Sequence, residues 1–202
     1  MIHVGSKEFY DEVSQKLTKC DLILYEGVNS KKANLLTRSY RIIKQIRRMD
    51  LVTQQEGMKV SSFKDKIINT DIQGIVFDKG WSSLPMSLRV QLFFLIPVYV
   101  VYLFFLGTRE TIAENIALED LQSSDEIFFQ NETSQNLDNL IVDERDKILI
   151  RHIENLHNRN HEEKKLVGIV YGAIHMRNIT SFLLDKLKYR IVNSEWITIF
   201  DL

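Results

Sequence analysis

Residues 166–175 read Leu-Val-Gly-Ile-Val-Tyr-Gly-Ala-Ile-His and constrain the fold more than any other stretch of this sequence. They begin as an apolar run of strand length, and Gly172 lets the backbone turn where a side chain would obstruct it. Helical spacing follows at once, with one apolar stripe formed by Ile179, Phe182, Leu183 and Leu187. The pattern predicts a strand, a turn and a helix, with His175 at the carboxyl end of a buried strand. In α/β folds, ligand sites collect at that edge of the sheet.

A second strand end near the start of the chain repeats this arrangement. Residues 6–19 have the apolar spacing of a helix, with Ser6 as the predicted N-cap. Residues 21–25 form a short apolar strand that ends in Glu26 and Gly27. Two strand ends that each carry a polar residue predict a cleft that both of them face.

The rest of the chain is consistent with a single folded domain. Residues 189–193 and 196–200 alternate as two strands that would close it. The 202 residues are 45% hydrophobic and 26% charged, which is ordinary for a globular protein with a sizeable core. The single Cys20 rules out an internal disulfide and is expected to pack at a helix end. We therefore expect one α/β domain over residues 1–202, with a mixed sheet flanked by helices.

A helix predicted over residues 140–158 carries an arginine on its apolar face. The apolar stripe, onto which Arg145 falls, consists of Val142, Leu149, Ile153 and Leu156. An unpaired buried charge is costly, so Arg145 needs a partner. Two partners are open: a carboxylate in a structural ion pair, or an anionic or carbonyl group in the cleft. Among residues 51–79, Asp71 is the acid that can approach such a site.

Residues 90–107 have the most unusual composition in the chain, because they contain no charged side chain and lie between Arg89 and Arg109. As a helix they would extend roughly 27 Å, close to the ~30 Å thickness of a bilayer core. We expect an apolar helical insertion around residues 88–118. Three roles are open for it: contact with a membrane, burial in the core, and pairing with a second subunit in a homodimer.

The position of this apolar segment in the chain limits the membrane interpretation. A single crossing would put Glu26 and His175 on opposite sides of the membrane, so it conflicts with a shared site. A helix that lies along a membrane, a helix pair or a dimer interface avoids this conflict. The first residues lack a basic region followed by an apolar one, so no signal peptide is predicted. We expect a membrane-associated protein, or otherwise a cytoplasmic one.

Charge is spread unevenly along the chain. Residues 30–48 form a predicted helix with seven basic residues and no acidic one. These charges are either a solvated face or a contact with phosphate or an anionic membrane surface. The formal net charge of −1 argues against bulk attraction to nucleic acid, so no nucleic-acid partner is expected.

Common catalytic signatures are missing from the sequence: there is no Walker loop, dinucleotide fingerprint, nucleophile elbow or His-Glu-x-x-His helix. The candidate catalytic and metal-binding residues are well separated in sequence: they are His3, Glu26, Arg145 and His175. Two histidines and a carboxylate are a common ligand set for a divalent metal, which lowers the pKa of bound water and polarises a carbonyl. His157 and His161 also have metal-binding spacing, but they lie at a polar helix end where a solvated surface is the simpler interpretation.

The ordered set of motifs resembles the TraB/PrgY/GumN family, which is related to the Tiki metalloproteases and to the erythromycin-esterase and ChaN-like proteins. The similarity lies in residues 3–10 (His-Val-Gly-Ser-Lys-Glu-Phe-Tyr), 21–27 (Asp-Leu-Ile-Leu-Tyr-Glu-Gly), 143–146 (Asp-Glu-Arg-Asp) and 172–175 (Gly-Ala-Ile-His). The family signature is a pair of Gly-x-x-His motifs, a glutamate after the second strand and an arginine before the last motif. The resemblance covers nearly the whole chain.

The resemblance implies an α/β domain whose site gathers four residues, with a divalent metal bound by His3, His175 and Glu26. Glu26 would be a ligand or general base, and Arg145 would hold a substrate carbonyl or orient Glu26. Tiki relatives are metal-dependent proteases, and PrgY relatives limit a secreted peptide pheromone by degradation or sequestration. The implied function is a metal-dependent, peptidase-like hydrolase acting on peptides. The alternative is a non-catalytic, membrane-associated protein that sequesters a peptide or partner.

The sequence departs from the family pattern in its first motif. That motif should read Gly-x-x-His after a strand, but this sequence starts two residues before His3. We therefore expect a truncated first strand, with two alternatives open: either the sequence is an N-terminally shortened fragment, or its site is incomplete. Several family members are membrane-associated, which favours lipid contact for residues 90–107.

Overall fold

The computed structural model describes residues 4–37, 50–114, 142–159 and 164–202. His3, His161 and the basic helix beyond residue 37 therefore lie outside the described residues. The strands are β1 (Val4–Gly5), β2 (Leu22–Tyr25), β3 (Val52–Thr53), β4 (Ile67–Asn69) and β5 (Val167–Val170). The helices are α1 (Lys7–Thr18), α2 (Lys31–Thr37), α3 (Gln54–Gly57), α4 (Gly74–Ser83), α5 (Met86–Leu106), α6 (Glu144–Arg159) and α7 (Ala173–Ser181).

The centre of the fold is a three-stranded parallel sheet in the order β4-β2-β5. Helices cover both of its faces, so the neighbouring residues Ile23 and Leu24 of β2 are both fully buried. Ile23 packs with residues of α1, and Leu24 packs with Leu149 of α6 and Ile179 of α7. The α/β class is confirmed. Parallel and antiparallel pairings are divided between two sheets, because β1 and β3 form a separate antiparallel pair.

The apolar insertion is a 21-residue helix, α5, which ends at Leu106 with Gly107 as its C-cap. Residues 109–114 are again helical, and residues 115–118 of the predicted insertion lie outside the description. Within the described part of the chain, α5 is the one helix that is long and apolar enough to cross a membrane, by length and composition only. Val100 and Leu103 of α5 are buried in a cluster with Leu51 of the loop before β3.

The two predicted closing strands are wrong. Residues 189–202 are irregular, and only a few of them touch the core: Ile199 accepts a hydrogen bond from the Ser6 N–H at 2.9 Å. Val192 is 94% exposed and Trp196 is fully exposed. Alternation predicts a strand when one face is buried and a neighbouring strand completes the hydrogen bonds. Residues 189–193 are exposed throughout, and Ile197 and Ile199 pack half-buried against the core, but among the described residues no strand pairs with either segment.

Gly74, the first residue of α4, fixes a close approach that links α4 to the loop after β2. A Cβ at this position would overlap the backbone carbonyl oxygen of Asn29. We expect Gly74→Ala to lower the free energy of unfolding by about 1–3 kcal/mol, because backbone rather than a flexible side chain must move. Urea denaturation measures the loss. Gly80→Ala in the interior of the same helix is the control, and we expect it to gain about 0.5–1 kcal/mol in helix propensity. Equal stabilities for the two variants would contradict this role for Gly74.

Candidate functional site

The polar residues of the candidate site lie where the parallel strands end. Glu26 directly follows β2, Asp71 follows β4 after one intervening residue, and Gly172 follows β5 after one. Because parallel strands share one carboxyl edge, these residues converge there. Helix α6 adds Arg145 from its first turn, and α7 adds His175. The structure thus brings Glu26, Arg145 and His175 together.

Arg145 is paired with two carboxylates and is almost completely buried. Its Nε and Nη2 donate to the two oxygens of Asp71, each at 2.7 Å, which is a bidentate pair. Nη2 also donates to Oε1 of Glu26 at 2.5 Å. Of the two partners left open by the sequence, the carboxylate in an ion pair is the one present in the structure, and Asp71 is the acid that the sequence analysis singled out.

This network shifts the proton affinity of its members. Burial is the largest influence on Glu26 and opposes its ionisation, but Arg145, the Gly172 N–H and His175 together hold the pKa of Glu26 below its ordinary value. Burial likewise disfavours the charge of Arg145, and Asp71 and Glu26 outweigh it, so the pKa of Arg145 is raised. The network therefore keeps Glu26 a carboxylate and Arg145 a cation.

A backbone N–H holds the Glu26 carboxylate, and the loop that follows Glu26 is hydrogen-bonded to residues after β4 and at its end. The Gly172 N–H, at the N-terminus of α7, donates to Oε2 of Glu26 at 2.6 Å, where a helix favours negative charge. The Gly27 N–H donates to Oδ2 of Asp71 at 2.9 Å, and Nδ2 of Asn69 donates to the Gly27 carbonyl at 2.6 Å. The loops after β2, β4 and β5 are thus tied to one another through these side chains.

His175 is held by a carboxylate on one ring nitrogen. Its Nδ1 lies 2.7 Å from Oδ1 of Asp146, whose other oxygen accepts a hydrogen bond from Nδ2 of Asn178 at 2.6 Å. An ionised carboxylate only accepts, so the proton bound by Asp146 lies on Nδ1; when the imidazole is neutral, a lone pair is left on Nε2. Nε2 lies 3.8 Å from Oε1 of Glu26. The ring of Tyr171 packs edge-on against the imidazole, with 5.5 Å between ring centroids.

Sequence reasoning missed Asp146, Asn178 and Tyr171 as parts of the site. Asp146 lies three residues before Leu149 and seven before Ile153, so it falls on the apolar stripe of α6 and is buried. A usable signal was the spacing on α7, since Asn178 is one helical turn after His175 and therefore shares its face. Tyr171 is the last apolar residue before the turn and reads as packing alone.

The donor chemistry suits a divalent metal in part. A histidine that donates Nδ1–H to a carboxylate and carries its lone pair on Nε2 is the usual arrangement of a metal-binding imidazole. Nε2 of His175 and Oε1 of Glu26 provide two donors, and the third predicted ligand, His3, lies outside the description. Within the described ranges, no three His, Cys, Asp or Glu residues form a metal-binding group. Arg145 also occupies Oε1 of Glu26, so a metal would share this oxygen with a guanidinium.

The second histidine pair, His157 and His161, is a weaker candidate for a metal site than His175 and Glu26. Nδ1 of His157 lies 3.3 Å from the Tyr189 hydroxyl, and its predicted partner His161 lies outside the described residues.

Comparison of the chain with protein-family models, with curated proteins and with solved structures gives no match. The functional inference therefore depends on the residues at the carboxyl edge of the parallel sheet.

Proposed function

We propose that this protein is a peptidase-like hydrolase of the TraB type, with its site at the carboxyl edge of the parallel sheet. The observation that carries the proposal is the pair formed by His175 and Glu26. Nδ1 of His175 lies against the Asp146 carboxylate, so in the neutral imidazole an Nε2 lone pair and a carboxylate oxygen of Glu26 face each other 3.8 Å apart. Two electron-rich atoms buried at this distance are complementary to a cation or to a donated proton between them.

The residues have distinct roles in this proposal. His175 and Glu26, together with His3, would hold a divalent metal, which when bound supplies a Lewis acid and a water of lowered pKa. Arg145 orients Glu26 and compensates its charge. Asp146 orients His175 and sets its tautomer. Where Glu26 is not a ligand, its carboxylate would instead be the general base that accepts a proton, held in place by the Gly172 N–H.

Replacement of His175 tests the proposal. We expect wild-type protein to bind Zn²⁺ or Mn²⁺ in calorimetric titrations and to cleave members of a synthetic peptide library, as detected by mass spectrometry. His175→Ala should abolish both, because it removes the oriented imidazole. His157→Ala is the matched control, since it removes a histidine at the far end of α6 and should leave both unchanged. A wild type that binds neither metal would overturn the metal-dependent mechanism.

A non-catalytic role in sequestering a peptide is the second candidate, and the burial of the site favours it. His175 is 1% exposed and Asp71 is 8% exposed, so the site presents little side-chain surface to a bound peptide in this conformation. The two functions differ in a direct measurement. Sequestration predicts that a bound peptide is recovered intact and that His175→Ala still binds it, whereas hydrolysis predicts cleaved products that this variant does not form.

We also propose that the protein acts at a membrane. The support is the exposed apolar surface of α5, whose residues Phe94, Val98 and Phe105 are each more than 60% exposed. Contiguous exposed apolar surface of this kind marks a site of contact with a membrane or another protein. A peptide-directed function at a membrane surface is consistent with the family resemblance, and a homodimer through α5 is the competing assignment.

A further inference from the structure

The burial pattern along α5 shows that the helix lies lengthwise on the domain. The less exposed positions recur with helical spacing and form one face, which consists of Leu92, Ile96, Val100 and Leu103. On the opposite face, Phe94 is 63% exposed and Phe105 is 67% exposed. Leu88 packs against the cluster of Ile72, Phe77 and Leu84, and Val100 and Leu103 pack with Val4 and Leu51, so both ends of the helix lie against the domain.

The candidate site requires the segments before and after α5 to lie on the same side of any membrane. Glu26 precedes the helix and Arg145 follows it, and the two form a direct hydrogen-bonded ion pair. Both flanks must therefore be on the same side of any membrane. The sequence of residues 107–144 contains no uncharged run of the ~20 residues that a second crossing needs. A single crossing by α5 is thus incompatible with the site.

The width of the apolar surface distinguishes a lipid leaflet from a second copy of the chain. Pairing of two helices covers a narrow seam, and charged residues normally flank that seam. On α5 the flanking positions are exposed and apolar as well: Leu95 is 61% exposed, Tyr102 45% and Leu106 68%. Helix pairing would leave these side chains in water. The hydrocarbon of one leaflet covers the whole exposed surface, because it surrounds the helix on every side that the domain leaves open.

We infer that α5 is an in-plane membrane anchor: its inner face packs on the domain, and its outer face enters the hydrocarbon of one leaflet without crossing it. Interfacial helices normally present a charged face to water. Here the domain takes the place of that face, which explains why α5 has no charged residue between Arg89 and Arg109. The inference depends on the proposed membrane association and is independent of the proposed hydrolysis.

Vesicle flotation tests the contact. Wild-type protein should float with phosphatidylcholine vesicles. The double variant Phe94→Gln/Phe105→Gln should have an affinity for the vesicles that is lower by about tenfold or more, because it removes two aromatic side chains from the lipid contact. The matched control is Ile75→Gln/Val192→Gln, which removes two apolar residues that are 71% and 94% exposed elsewhere. This control should float like the wild type, and equal losses for both double variants would overturn the assignment to α5.

Labelling of introduced cysteines tests the topology. In a Cys20→Ser background, Ser83→Cys places an exposed thiol before α5 in the chain, and Glu110→Cys places one after it. We expect a membrane-impermeant maleimide to label both thiols in intact vesicles. Labelling of one thiol only after detergent is added would show a crossing and overturn the in-plane anchor.

The remaining outcome is a second copy of the chain. A wild type that does not float, and that forms a dimer dissociated by Phe94→Gln/Phe105→Gln, would assign the α5 surface to self-association and overturn the inference. Neither flotation nor labelling uses metal or peptide. A failure of the anchor is therefore distinguishable from a failure of the proposed hydrolase.

Discussion

Arg145→Met is expected to lower the free energy of unfolding by about 3–5 kcal/mol, as measured by urea denaturation near neutral pH with a chelator present. Methionine retains much of the side-chain volume but no charge. Asp71 and Glu26 would then be two buried carboxylates without their cation, and removal of one partner from a buried ion pair leaves an uncompensated charge. This is the largest stability effect that we expect from any single substitution at the site.

The pH dependence gives this effect a signature. In the wild type the pKa of Glu26 is lowered from 4.5, so its contribution to stability is present above that value and is lost as the pH falls through the folded-state pKa. In Arg145→Met, burial persists while the guanidinium is absent, so the pKa of Glu26 should rise above its ordinary value. The difference in stability between the two proteins should then be largest near neutral pH and shrink as the pH falls and Glu26 takes up a proton.

Arg151→Met is the control for this measurement, because Arg151 lies on the same helix with its side chain exposed. We expect it to change stability by no more than about 0.5 kcal/mol at any pH tested. An Arg145→Met variant as stable as this control would show that the ion pairs contribute little. A large loss that does not depend on pH would assign the effect to packing instead of charge.

Strand ends and periodicity were enough to predict that Glu26, Arg145 and His175 lie close together. Glu26 directly follows one apolar run, His175 follows another after a turn, and any parallel pairing of those runs brings their carboxyl ends together. Arg145 followed from a different argument, the cost of an unpaired charge on an apolar stripe, which required carboxylate partners that the structure provides. Physical arguments of this kind succeed where one element alone determines the direction of a side chain.

The missed features depend on contacts between elements. The spacing of Asp146 on α6 shows its inward direction, but its partner His175 comes from α7, and no property of α6 alone identifies it. The irregular segment after residue 188 alternates like a strand, but alternation cannot supply a neighbouring strand. For α5, sequence alone left membrane contact, core burial and helix pairing open, since all three require apolar residues. The ion pair between Glu26 and Arg145 excludes a single membrane crossing by α5.

Asp146→Asn should alter the chemistry of His175 without removing it. Asn178 donates to Oδ2 of Asp146, so the introduced amide keeps its oxygen toward Asn178 and turns its NH₂ group toward Nδ1 of His175. Nδ1 must then accept, and the proton moves to Nε2. The lone pair that faces Glu26 is lost. We expect the affinity for Zn²⁺ to fall about 10–100-fold, the usual effect of removing the residue that orients a metal-binding histidine.

Two measurements separate this role from a general loss of structure. Long-range ¹⁵N NMR of labelled histidines, assigned with His175→Ala, reports which ring nitrogen carries the proton in the protein without metal. We expect the proton on Nδ1 in the wild type and on Nε2 in Asp146→Asn. Asn178→Ala is the matched variant, because it keeps the carboxylate and should therefore keep the wild-type tautomer and most of the affinity. If Asp146→Asn retains both the Nδ1 proton and full affinity, Asp146 does not set the state of His175.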